Sequence, residues 1–93
     1  MSAFLAIVAM DLREILGRNV RRARQDRGLT IEALADAVCR SPSYVGQIER
    51  AARNPSLKVI EALSVCLGVE AHHLLDPDAS KKPTSVRSEY PPR

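Results

Sequence analysis

Asp11, Thr30, Ser41 and Ser56 each stand directly before a stretch with helical apolar spacing, and the stretches they open are short. "TIEALADAV", capped by Thr30, is barely two turns long. Isolated helices shorter than about 12 residues are unstable in water, so these segments exist only if they bury their apolar faces against one another. The spacing supplies such faces. Leu12, Ile15, Leu16, Val20 and Ala23 share one side of a first helix, where Asp11 and Glu14 are spaced as a capping box and Gly28 supplies the stop. Leu34, Ala35 and Val38 face inward from the second helix. Leu57, Ile60, Leu63 and Leu67 do so from the helix after Ser56, which stops at Gly68, and "VEAHHLL" forms one last short helix. Aromatic residues are only 3% of the chain against 45% hydrophobic, so the core is built from Leu, Ile, Val and Ala, which suits helices better than a sandwich. The expected fold is all-α.

A chain of 93 residues has room for one small domain, which buries roughly 60% of the surface its unfolded form exposes and leaves little depth for an active site. The ends read differently from the middle. "MSAFLAIVAM" is apolar except at Ser2, but lacks a basic flank and is about half the length that crosses a bilayer, so it is neither signal peptide nor membrane anchor. It is either a fortuitous extension before a true start at Met10 or a helix that packs on a partner subunit. From Asp76 onward, "DPDASKKPTSVRSEYPPR" holds four of the six prolines and almost no apolar periodicity, the pattern of a flexible tail. The organisation is thus an apolar extension at 1–10, a domain at 11–75 and a tail at 76–93.

Net charge is +3, and eleven of the fourteen basic residues are Arg, whose forked guanidinium suits phosphate; the balance favours a nucleic-acid partner. Cys39 and Cys66 are too few and too far apart for a zinc site or a disulfide framework, which fits a cytoplasmic protein. Cys66 belongs to a buried helix face. Adjacent His72 and His73 point about 100° apart on a helix and do not share a metal. No nucleophile stands beside a base, so we expect no catalytic residues, metal, cofactor or small-molecule effector site. Arg18, Arg21, Arg22 and Arg27 on the first helix read as a solvated basic face, with contact to nucleic acid the sharper alternative.

The remaining stretch, "SPSYVGQIERAARNPS", begins with a good cap in Ser41 and a good first residue in Pro42, yet its turns carry only Val45 and Ile48 as apolar anchors. Two short helices joined by a tight turn at Cys39 and Arg40 match a helix-turn-helix, in which the second helix is held by a narrow inner face while its N-terminal end enters the DNA major groove. The sparse anchoring follows from that use. Ser41, Pro42, Ser43 and Gln47 then lie along the edge facing base pairs, with Gly46 leaving space for close approach.

"RRARQDRGLTIEALADAVCRSPSYVGQIERAARNPSLKVIEALSVCLGVEAHHLL" resembles the Cro and lambda-repressor family of helix-turn-helix regulators, through "GLT", "ALA", "SYVGQIER", "NPSL" and "LGV" in order. The resemblance implies a five-helix bundle that binds operator DNA as a homodimer. Carried over by position, it assigns base reading to Ser41, Pro42, Ser43 and Gln47, Gln47 being the one able to make a bidentate contact with adenine. It assigns phosphate contacts to Tyr44, Arg50, Arg53 and Asn54, with Tyr44 exposed, and a structural ion pair to Arg24 and Glu49. The departures are Ile31, where the family has a phosphate-binding Gln; Cys39, where it has a turn Gly; and Ala51, where a Gly ends the recognition helix. Arg40 offers a replacement for the lost phosphate clamp. Cys39 carries the cost of a left-handed conformation, about 1 kcal/mol. Ala51 predicts a recognition helix that runs on by part of a turn. The expected function is a transcriptional regulator binding double-stranded DNA as a homodimer on a near-palindromic operator and repressing by promoter occupancy. The alternatives are an antitoxin or restriction-modification controller of the same fold, or a helix-turn-helix module turned to protein binding.

Overall fold

A computed structural model describes residues 11–79. It contains α1 (Leu12–Asp26), α2 (Ile31–Ala37), α3 (Pro42–Glu49), α4 (Leu57–Leu67) and α5 (Ala71–Leu74), with no strand among the described residues. The short helices start where the sequence places caps. The Thr30 hydroxyl accepts from the Ala33 amide at 3.0 Å, Ser41 from Tyr44 at 3.1 Å and Ser56 from Val59 at 3.3 Å. At α1 the Asp11 carboxylate accepts from the Arg13 amide at 2.8 Å and is also gripped by the Arg13 guanidinium, which holds its carboxyl below the usual carboxylate range. The reciprocal half of a capping box, from Glu14, is not formed. Asp11 has extended backbone angles, φ −75° and ψ 133°, so α1 begins at Leu12; residues 1–10 and their expected partner-packing helix lie outside the described residues.

Four helices end in the same way. The two residues beyond each last turn donate back to carbonyls inside it: Gly28 and Leu29 on α1, Cys39 and Arg40 on α2, Ala51 and Ala52 on α3, Gly68 and Val69 on α4. This closure needs a left-handed residue, and the φ angles are 67° at Gly28, 59° at Cys39, 63° at Ala51 and 71° at Gly68. Ala51 therefore does not prolong the recognition helix. The Ala52 amide reaches the Gln47 carbonyl at 2.8 Å, and that pair of closing bonds outweighs the roughly 1 kcal/mol cost of a Cβ in the left-handed region.

The core forms where the five apolar faces meet. Val20, Leu34, Val45, Ile48, Leu63, Leu67 and Leu74 are almost wholly removed from water, each worth about 1.5–3 kcal/mol. Helix α3 packs on α2 and α1, while α5 closes the bundle against α1 and α4. Two expected core residues stay outside: Leu12 is 59% exposed and Leu57 76%, because each opens its helix at a corner of the bundle. Val38 and Cys66 are half-buried at the rim. Asn19, on the inner face of α1, is buried and donates through Nδ2 to the carbonyls of Leu74 and Asp76, both at 2.9 Å. It ties down α5 and the segment after it, where Ala79, counted with the tail by sequence, is also buried. No helix among the described residues is long and apolar enough to cross a membrane.

Candidate nucleic-acid interface

Helix α3 is held by few but firm attachments. Val45 and Ile48 are buried, and at its last residue Glu49 accepts from Arg24 of α1 at 2.7 and 3.2 Å. Both side chains of this pair are nearly out of solvent, at 12% and 5% exposure, and Arg24 also donates to the Leu29 carbonyl at 2.8 Å. Bonding to Glu49 raises the Arg24 guanidinium above its already high range, so it stays charged under all physiological conditions. Gly17 sets the distance between the two helices. A Cβ there would stand 2.5 Å from the Ile48 carbonyl oxygen and 2.8 Å from that of Glu49, so α1 lies directly on the end of α3. Sequence reasoning did not single out Gly17; its signal is a glycine inside a strongly periodic helix, three residues from Val20.

The opposite side of α3 is open. Ser41, Pro42 and Ser43 are exposed at its N-terminal end, although the Ser41 oxygen is already engaged in capping. Ser43, Gln47 and Arg50 follow at spacings of four and three and form one stripe. The Arg50 guanidinium folds back over Gly46, 3.1 Å from where a Cβ would stand, so Gly46 seats that arginine. Tyr44, expected to be exposed, is half-buried, and two guanidiniums approach its ring, Arg40 at 5.2 Å and Arg53 at 4.8 Å from the ring centre. Arg53 also donates through Nε to Gln47 Oε1 at 2.8 Å. Arg40, Tyr44, Gln47 and Arg53 thus form one connected cluster over the front of α3, and Asn54 is exposed beside it. Ile31 is half-buried against the core, so the residue that departs from the family's phosphate clamp works as packing.

A short helix fixed by its inner face and presenting hydroxyls, an amide and arginines outward is built to meet a polyanion with readable edges. A family model described as a helix-turn-helix domain matches residues 15–76. The chain belongs to the helix-turn-helix family of transcriptional regulators. This regulator is 36% identical over 69 residues to the control protein C.SmaI of Serratia marcescens, covering 74% of the chain and 82% of the relative. It is 33% identical over 63 residues to the regulator SinR of Bacillus subtilis, covering 67% of the chain but 57% of SinR, little more than half that protein's length. Among solved structures, SinR in complex with DNA matches with a TM-score of 0.62 at 34% identity, covering 66% of the chain and 98% of that one. The restriction-modification controller C.AhdI of Aeromonas hydrophila matches at 0.64 and 37%, covering 67% and 94%.

Proposed function

We propose that this regulator acts in the cytoplasm as a homodimer on a near-palindromic operator, with α3 as the reading helix. Ser41, Pro42, Ser43 and Gln47 face base edges in the major groove; Arg40, Tyr44, Arg50, Arg53 and Asn54 hold the phosphates that bound it. Arg24 and Glu49 fix the angle at which α3 enters. The observation that carries this reading is the division of α3 itself: an inner face locked by Val45, Ile48 and a buried ion pair, and an outer polar face on which Ser43 and Arg50 are exposed and Gln47 half-buried. No catalytic chemistry is part of it. Selection of bound sequences from a random duplex pool tests it. Enrichment of a twofold-symmetric consensus with half-site centres about 10 base pairs apart, or a multiple, is the expected result; an unenriched pool overturns it.

The likeness to C.AhdI favours a narrower role, control of restriction and modification genes. A gene pair for a nuclease and a methyltransferase beside this one is what that role requires.

A further inference from the structure

The first helix carries six arginines between positions 13 and 27 counting the residue at its C-cap, and four of them have partners within the fold. Arg13 pairs with Asp11, Arg22 lies 3.9 Å from Asp26, Arg24 binds Glu49, and Arg27 donates to the Leu67 carbonyl at 3.4 Å. Arg18 and Arg21 have no such partner among the described residues. Both line an open cleft of about 320 Å³ between α1 and the end of α3, which Glu14, Glu49, Arg50 and Ala51 complete. Gly17 creates this arrangement. Because α1 rests directly on the carbonyls of Ile48 and Glu49, the residues one and four places further on are brought beside Arg50.

The charges in the cleft do not cancel. Glu49 is committed to Arg24, which leaves three guanidiniums facing one carboxylate, Glu14. Such a site favours an anion, and forked guanidiniums suit phosphate oxygens in particular. Its position says which phosphate. Helix α3 has eight residues and so is about 12 Å long, close to the width of the major groove. A helix that meets bases with its N-terminal edge therefore brings its C-terminal end, and the cleft beside it, to the sugar-phosphate wall.

We propose that Arg18, Arg21 and Arg50 together hold a backbone phosphate of the bound duplex, which makes α1 part of the DNA interface. The proposal rests on the reading of α3 as the DNA-facing helix. It is tested by the salt dependence of full-length protein binding to a random-sequence duplex, comparing wild type with R18Q/R21Q, with R22Q as the control and with E14Q. Arg18 and Arg21 are exposed, so the double variant keeps its fold, which circular dichroism verifies. The salt slope should fall by about one per subunit in R18Q/R21Q, with roughly tenfold weaker binding at moderate salt on random and selected sequences alike. R22Q should match wild type, and E14Q should bind several-fold more tightly because it removes a carboxylate facing the phosphate. A double variant with the slope of R22Q overturns the proposal while leaving the DNA-binding reading intact; a wild type whose affinity ignores salt overturns that reading first. Uptake of inorganic phosphate by the cleft with the DNA slope untouched would make it a free-anion site and also overturns the proposal.

Discussion

Gln47 and Arg53 show how much two side chains can differ in what the sequence discloses. The family resemblance assigns each alone, Gln47 to base reading and Arg53 to phosphate, but their mutual bond is not legible, because six positions and a helix end separate them. The bond orients the Gln47 amide: with one lone pair of Oε1 taken by Arg53, the other lone pair and both Nε2 protons remain for a base edge. Gln47→Ala should weaken binding to the preferred site by about 1–3 kcal/mol and leave random DNA almost unaffected. Arg53→Ala should do more than a lost phosphate contact does, lowering the salt slope and reducing discrimination too. Titrations of both variants on selected and random duplexes distinguish the two, and an Arg53→Ala that weakens all sequences equally removes the positioning role. Glu49 belongs to the same scale. Glu49→Ala strands a buried guanidinium and should cost about 3 kcal/mol in a denaturant titration; a loss under 1 kcal/mol would mean that water rescues Arg24.

Among the elements, starts were far more legible than ends. A start is announced by one capping side chain, and Thr30, Ser41 and Ser56 all hold the bond their type implies. An end depends on whether two backbone bonds can force the next residue into the left-handed region, and composition speaks to that only when the residue is Gly. Gly28 and Gly68 were readable for that reason, whereas Ala51 suggested a longer helix. The strain at Cys39 and Ala51 is open to measurement: Ala51→Gly and Cys39→Gly should each stabilise by up to about 0.5 kcal/mol, the relief of the left-handed penalty less the entropy Gly adds to the unfolded chain. Variants destabilised by the full glycine cost of about 0.5–1 kcal/mol in thermal melts would show that the φ angles carry no strain. Gly17 has the opposite sign. Alanine is the better helix former by about 1 kcal/mol, yet its Cβ would meet backbone oxygens that cannot move without shifting α3. Gly17→Ala should therefore lose about 2 kcal/mol and weaken DNA binding together, and a stabilised variant that binds normally would show that the helices can separate at no cost. Asn19 escaped notice for a related reason: on an apolar face it reads as an interruption until the carbonyls of α5 are seen above it.

At the scale of the whole molecule, the proposed homodimer needs a contact surface among the faces left open. Leu12 and Leu57, misplaced in the core by periodicity, border a largely apolar hollow of about 190 Å³ that Arg13, Leu16, Asn54, Pro55, Ile60 and Leu75 complete. Periodicity assigns a face to the interior, but it has no means of knowing that the bundle ends before that face is covered. The exposed Leu12 and Leu57 on this hollow make it a candidate contact for that homodimer. A second copy is the occupant expected under the homodimer reading proposed above, because Asn54 and Pro55 belong both to this hollow and to the loop that follows α3. Under that reading a twofold axis near Leu57 would have to leave both copies of α3 on one side of the dimer, with half-sites about 34 Å apart. Leu57→Glu tests the arrangement without endangering the fold. The side chain is exposed, and a carboxylate at the first position of α4 is favoured by the helix dipole. The variant should keep its helical spectrum, sediment as a monomer and lose most of its affinity for a two-site operator, while binding a single half-site as wild-type monomer does. A Leu57→Glu protein that still sediments as a dimer would move the contact away from this hollow, to surfaces that include the segment before Asp11.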